Sequence, residues 1–305
     1  MIAAFFIDPL MSLNRAKDTS LLLMQEARIR GYTVLAFEGR DLYVSNALRV
    51  SGQIVEVSID KEEARITVSD YVDIDFNEVS LCFIRKDPPV DENYITVLQL
   101  LSIAEDQGNT VFVNPPSALL KANEKIYGLR LIQDFPQMIL SMNHDHLMRF
   151  RKDSDSRVVV KPLNEAGSRG VSLVDPSDSA FTLPENQFLI AQKYLTAVSS
   201  GDRRVFLIQG EIRGAISRTP PEGEFRCALG FGASLSIPTL SPSEIEICER
   251  LGTHLKKDGI LFAGIDLIDS KLIEVNVTSP TLVRQFNQMS NRTLEKEIFD
   301  AIQTR

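Results

Sequence analysis

Asp266, Glu274 and Asn276 stand among apolar residues in the segment GIDLIDSKLIEVNVTSPT, residues 264–281. Side chains alternate across a strand, so Glu274 and Asn276 share a face. A turn centred on Ser270 would bring Asp266 opposite Glu274 on that same face. Two carboxylates crowded into a half-buried site repel unless a cation lies between them. Magnesium takes carboxylate and amide oxygens, so the spacing makes a metal cradle, with manganese as a second candidate ion. A solvated acidic strand face is the alternative that spacing alone leaves open. Asp269 belongs to the turn and is a poor ligand.

A metal of this kind commonly accompanies phosphate. Lys161 ends the apolar run VVVKPL, and Gly167, Ser168 and Gly170 follow in a turn. Such a turn can offer amides and a hydroxyl to phosphate, although the lysine precedes the glycines and the order is not that of a P-loop. An ordinary glycine-rich hairpin turn is the competing explanation. Lys125, Arg204 and Arg226 add positive charge if the fold brings them together. In FLIAQKYL, backbone groups beside apolar side chains could recognise an adenine edge; an edge strand would look the same.

These residues need elements to carry them. MIAAFFI, DTSLLLMQEARIRG and YTVLAFE read as strand, helix and strand, the opening of an α/β domain with a parallel sheet. The helix sets Leu21, Met24, Ala27 and Arg28 on one face, with Asp18 or Thr19 as its cap and Gly31 as its stop. VSLCFIRKDPP and NTVFVNPP are further strands flanking the helix TVLQLLSIAEDQG. Their carboxyl ends carry Arg85, Lys86, Asp87 and Asn114, as the first strand carries Asp8, and clefts in such sheets form at those ends. A helix is expected to carry Asn123, Glu124 and Lys125. From Val158 the texture turns strand-like, as in a small β-rich domain. GDRRVFLIQGEIRGAISR reads as two strands about Gln209-Gly210-Glu211. SPSEIEICERLGTHLKKDG and NRTLEKEIFDAIQT read as helices. The segments 164–170 and 220–235 are polar and glycine-bearing, as lids are.

Composition narrows the partners. The chain has 305 residues, 44% of them hydrophobic, enough for two or three domains. A net charge of -8 disfavours binding to duplex nucleic acid. The three cysteines, Cys82, Cys227 and Cys248, are far apart and odd in number, which suggests a reducing compartment. With three histidines and no metal-type cysteine spacing, a zinc centre is not expected. MIAAFFIDPLM is too short to span a membrane and has no basic leader, so no membrane association and a cytoplasmic location are the default expectations.

The blocks IDPLMSLNRAKDTS, RKDPPVDENY, VNPPSALLKANEKIYGL, VVVKPL, AQKYL, GDRRVF, FAGIDLI and IEVNVTSPT, in this order over nearly the whole chain, resemble bacterial glutathione synthetases of the ATP-grasp superfamily. The resemblance implies an α/β, ATP-grasp fold: an N-terminal parallel-sheet domain over 1–120, a small central lid domain over 121–198 and a C-terminal catalytic domain over 199–305. It implies ATP between the last two, Lys125 and Lys161 on its phosphates with the turn at Gly167 and Ser168, and Gln192, Lys193, Tyr194 and Leu195 framing adenine. Asp266, Glu274 and Asn276 match the family's magnesium positions. Arg204 and Arg226 match positions near the reaction centre, and Asp202 orients the first or binds substrate. Asp8, Ser12, Asn14, Lys86 and Arg284 fall in blocks facing a peptide substrate. The implied reaction joins gamma-glutamylcysteine to glycine through an acylphosphate, in a homo-oligomer, commonly a tetramer.

The chain also departs from the family pattern. Glu165 and Ser168 stand where the phosphate loop has glycine. Ala228 replaces an asparagine in the catalytic loop, Ala233 replaces a glycine, and Phe225 and Phe231 make that loop more apolar. These changes bear on the acceptor. A ligase with a different amine or peptide substrate is the second reading; a weakly active ATP-binding regulatory homologue and a purely structural module are the others.

Overall fold

The computed structural model describes residues 1–60, 63–178 and 183–304. Its first sheet forms around β1 (Ile2–Phe6), which pairs in parallel with β2 (Thr33–Phe37) on one side. Between them runs α1 (Thr19–Ile29), capped by Asp18, whose carboxylate accepts from the Ser20 and Leu21 amides. Leu21, Met24 and Ala27 are buried as the spacing requires, whereas Arg28 is exposed and pairs with Glu56. Next come β3 (Leu42–Val44), β4 (Leu48–Asp60) and β5 (Glu63–Asp75), all antiparallel to their neighbours. The sheet is completed by β6 (Val79–Ile84), parallel to β1, and by β7 (Val111–Val113), reached through α2 (Glu92–Gln107). The order is β3-β4-β2-β1-β6-β7, with β5 on β4.

The expected parallel sheet is therefore mixed. Its centre is parallel, and a long hairpin of two 13-residue strands extends one edge. β4 alternates between buried and less buried residues, as a strand with one packed and one solvated face does, whereas β5 is exposed along most of its length.

After the short α3 (Pro116–Leu119) the chain does not continue as a helix. Asn123 lies in irregular chain and Glu124 and Lys125 in a turn ahead of a 3-10 turn at Tyr127–Arg130, which corrects the helical expectation. The reason is local: the Asn123 side chain accepts from the Lys125 amide, a turn-forming bond that competes with helix.

The second sheet is small and antiparallel. It holds β8 (Met138–Ser141), β9 (Val158–Pro162), β10 (Ser172–Val174) and β11 (Leu189–Lys193), in the order β10-β9-β11-β8, with α4 (His144–Asp153) against it. Its core is separate and minor: Leu147, Val158, Val160, Val174, Leu189 and Ala191.

The third sheet comprises β12 (Asp202–Ile208), β13 (Glu211–Thr219), β14 (Ser234–Ser236), β15 (Phe262–Ile268) and β16 (Lys271–Asn276), in the order β14-β13-β12-β15-β16. A Ser241 capping box starts α5 (Pro242–Lys257) between β14 and β15. The chain closes with α6 (Val283–Ser290) and α7 (Leu294–Gln303); α6 was not anticipated from the sequence. Both large apolar clusters contain residues of the first and the third sheets, and α7 packs onto the first, where Phe83 meets Phe299 with ring centroids 5.4 Å apart. Buried Asn114 joins the two as well. Its side-chain nitrogen donates to the Phe262 and Val277 carbonyls, and its oxygen accepts from the Leu261 and Phe262 amides.

Candidate active site

The hairpin of β15 and β16 makes the floor of a cleft of about 460 Å³ between the second and third sheets. Asp269 and Ser270 both take left-handed backbone angles and form the turn, with Ile268 opposite Lys271. A two-residue turn in plain register would set Asp266 against Ile273. A bulge between Asp266 and Leu267 adds the residue needed to place Asp266 opposite Glu274, and Gly264 falls opposite Asn276. All three polar residues line the cleft.

Asp266 is buried and doubly held. Arg204 on β12 grips it with two parallel hydrogen bonds, Nε–Oδ1 at 2.6 Å and Nη2–Oδ2 at 2.7 Å, and Arg218 on β13 adds Nη2–Oδ2 at 2.9 Å. Burial alone would raise this carboxyl; the two guanidiniums outweigh it and hold it well below the usual carboxylate range. Arg218 also forks onto Asp202, with Nε–Oδ1 at 2.8 Å. Two arginines and two aspartates thus form one neutral cluster. Gly264 makes room for it, because a Cβ there would come within 2.9 Å of the Arg204 side chain.

Lys161 on β9 enters the cleft from the opposite sheet. Burial pushes its ammonium down to about 8, while Glu274 and Asp266 draw it up and Lys125 opposes them. Lys125 is buried too, 3.2 Å from the Glu274 carboxylate, and donates to the Leu163 and Glu165 carbonyls. Glu124 beside it accepts from the Val277 and Thr278 amides and the Thr278 hydroxyl, which ties the turn before the lid to the end of β16. Burial, with Glu274 nearby, raises its carboxyl above the usual range.

The donors suit a hard divalent cation. Glu274 is partly exposed to the cleft. The Asn276 amide nitrogen is committed to the Gly264 carbonyl at 3.2 Å, leaving its oxygen as a ligand. Asp266 Oδ1 accepts a single guanidinium bond and keeps a lone pair for a cation, whereas Oδ2 already accepts two.

The turn after β9 crosses the cleft. Gly167, Ser168 and Gly170 all have positive φ, at 63°, 61° and 68°. Glycine adopts this freely, and Ser168 does so at a cost. Arg169 holds the turn closed: its Nη2 donates to the Pro88 carbonyl at 2.6 Å, and its Nε draws the Glu165 carboxylate at 2.8 Å. The added acid is thereby paired. Asn164 accepts from the Val90 amide and the Asn123 side chain, so lid and first domain touch here.

Most of the residues singled out from the sequence line this cleft. Lys125, Lys161, Gly167 and Ser168 stand at one part of it, and Gln192, Lys193, Tyr194 and Leu195 at another. Asn14, Asp202, Arg204 and Arg226 line it as well. Four do not. Asp8 pairs with Lys86 at 2.5 Å and accepts from the Asp87 amide at 2.9 Å. The Ser12 hydroxyl donates to the Pro9 carbonyl, and Arg284 to the Arg15 carbonyl. These local bonds brace the loop after β1 instead of facing the cavity. Arg218 went unnoticed in the sequence, where a lone arginine before Thr-Pro-Pro carries no pattern. Its position opposite Asp202 across two strands would have been the only signal.

A nucleotide-sized cleft gripped between a four-stranded lid and a five-stranded antiparallel sheet, with lysines above and acids below, defines an ATP-grasp ligase. Solved structures agree on the fold. D-cycloserine synthetase DcsG superposes with a TM-score of 0.66 at 15% identity, covering 98% of each chain. The ATP-grasp ligase PsnB, complexed with a phosphomimetic precursor variant, Mg and ADP, gives 0.59 at 14% identity, covering 99% of this chain and 98% of that one. At the sequence level, the model of the prokaryotic glutathione synthetase N-terminal domain matches residues 1–119, and that of the prokaryotic glutathione synthetase ATP-grasp domain matches 124–291. Glutathione synthetase of Salmonella typhimurium is 34% identical over 98% of this chain and 97% of its own length. That of Shewanella oneidensis is 31% identical, with the same coverage. The chain belongs to the prokaryotic glutathione synthetase family and is an ATP-dependent ligase of that type, using ATP and magnesium as such ligases do. Among the described residues, no helix is long and apolar enough to cross a membrane.

Proposed function

We propose that the enzyme condenses gamma-L-glutamyl-L-cysteine with glycine, and that the named cleft residues divide the work. The observation that carries this reading is the convergence of Lys125 and Lys161 with Asp266, Glu274 and Asn276 on one cavity. The dipeptide's cysteinyl carboxylate attacks the γ-phosphorus of ATP, ADP leaves, and an acylphosphate forms. The glycine amine then attacks the acyl carbon; phosphate leaves and the amine proton passes to solvent.

Lys125 and Lys161 neutralise the nucleotide phosphates, and the amides of the turn at Gly167 and Ser168 cover them. Gln192 to Leu195 frame adenine. Asp266, Glu274 and Asn276 would hold magnesium, or manganese in its place; bound there, the ion supplies charge neutralisation during phosphoryl transfer. Arg204, aligned by Asp266, and Arg226, on the loop after β13, face the transferring phosphoryl group. Asn14 and Asp202 contact the dipeptide, and the Asp8–Lys86 pair, Ser12 and Arg284 shape the loop that presents Asn14. The paired lid turn excludes water from the acylphosphate. A homo-oligomer, in its expected tetrameric form, and a cytoplasmic location complete the reading; three buried free thiols suit a reducing compartment.

ADP release tests this directly, with gamma-glutamylcysteine and a panel of amino acids as acceptors. Glycine should give the highest kcat/KM. Turnover with another acceptor alone would reassign the amine, and the loop changes at Ala228 and Phe225 mark where that reassignment would arise.

A further inference from the structure

Five side chains form a ladder from the lid to the loop after β13. The Arg157 guanidinium lies 4.7 Å from the centre of the Tyr194 ring. Tyr194 meets Phe225 edge-on, with ring centroids 6.4 Å apart and planes at 80°. Phe225 touches Arg226 at 5.7 Å, and Arg226 in turn stacks on Phe231 at 3.6 Å. Tyr194 belongs to the segment that frames adenine; Arg226 belongs to the loop that closes over the cleft.

Arg226 is fixed in an unusual degree of detail. Glu224 takes one edge of the guanidinium through two hydrogen bonds, Nε at 3.0 Å and Nη2 at 2.7 Å. Phe231 takes one face. Among the described residues, Nη1 makes no hydrogen bond, and Arg226 lines the cleft, so that edge is the one left for a ligand. A carboxylate fork fixes a guanidinium in its plane but lets the plane tilt; a ring stacked on one face sets the tilt.

We propose that Phe225 and Phe231 are positioning residues for the ligase reaction: Phe231 sets the plane of Arg226, and Phe225 keys the loop to Tyr194, so that the loop seats on an occupied adenine site. The inference rests on the reading that Arg226 acts at the transferring phosphoryl group. It goes beyond that reading in assigning functions to two aromatic residues, Phe225 on the cleft wall and Phe231 stacked on Arg226.

Steady-state kinetics of the full-length protein with ATP, magnesium, gamma-glutamylcysteine and glycine test it. Phe231→Leu, which keeps apolar bulk without a ring, should lower kcat about tenfold, or about 1.4 kcal/mol, with KM for ATP unchanged. Phe231→Tyr should restore the rate. The double variant Arg226→Lys with Phe231→Leu should be no slower than Arg226→Lys alone. Phe225→Leu should raise KM for ATP about threefold to tenfold, the weight of one aromatic pair. A wild-type rate in Phe231→Leu beside an impaired Arg226→Lys, or losses that multiply in the double variant, would overturn the positioning role alone. An unchanged KM for ATP in Phe225→Leu would overturn the coupling to Tyr194. A wild-type rate in Arg226→Lys would overturn the reading of Arg226 itself.

Discussion

Lys161→Met should make the nucleotide-free protein more stable while removing its turnover. Lys161 is only 8% exposed, and burial pushes its ammonium from 10.5 down to about 8. That net shift already includes the pull of Glu274 and Asp266. Below pH 8 the folded protein therefore carries a buried charge that costs about 3 kcal/mol relative to the unfolded chain. Between pH 8 and 10.5 the unfolded chain holds a proton that the native lysine has released, so stability rises with pH across that window. Methionine fills similar space without the charge. Urea unfolding of EDTA-treated protein at pH 7 should show Lys161→Met ahead by up to about 3 kcal/mol, a gap that narrows by about 2 kcal/mol at pH 9.5. Phosphate binding reverses the local field, so ATP binding near pH 8.5 should take up a proton, readable by calorimetry in buffers of differing ionisation enthalpy. A less stable Lys161→Met variant at pH 7, or a gap independent of pH, would refute the reasoning.

The two acids of the floor should separate on substitution. Asp266→Asn leaves Arg204 buried against a neutral amide, while Arg218 keeps Asp202, and should cost about 3–5 kcal/mol of stability along with turnover. Glu274→Gln leaves the buried ammoniums of Lys125 and Lys161 without their carboxylate, and should lower stability in urea unfolding by less than Asp266→Asn does, because Glu274 is itself partly exposed, yet turn over far more slowly at limiting magnesium. Asn114→Ala removes four buried hydrogen bonds and should cost about 2–5 kcal/mol, read from the urea midpoint. Arg169→Ala frees the Glu165 carboxylate and the Pro88 contact, and should speed proteolysis within 164–170 and raise KM for ATP.

The order of chemical blocks made the fold class legible, and alternation along β15 and β16 put Asp266, Glu274 and Asn276 on one face. Their pairing came out as expected by a different route: a shorter turn plus a bulge, since register beyond a turn depends on strand twist and packing. The antiparallel pair of 48–60 and 63–75 was not legible, because the second strand is exposed along most of its length and neither carries a functional motif. The Asn123–Lys125 helix failed where a side-chain turn bond outcompeted helical pairing. Arg218 escaped because its meaning is entirely tertiary: it joins Asp202 to Asp266 from a neighbouring strand. Asp8 and Lys86, read as facing substrate, pair with each other in this structure. A charged residue at a strand end is equally suited to either task.

Among the described residues the second sheet has a small core of its own, and this has a thermal consequence. The first and third sheets share their apolar interior, so they loosen together; the lid relies on its own few side chains and opens at lower free energy. The portion of the chain that grips the nucleotide is thus the earliest to soften on warming, and a bound nucleotide protects it by mass action. Heating should therefore expose the second sheet to proteolysis before the other two, and added ATP should raise the temperature at which it does so.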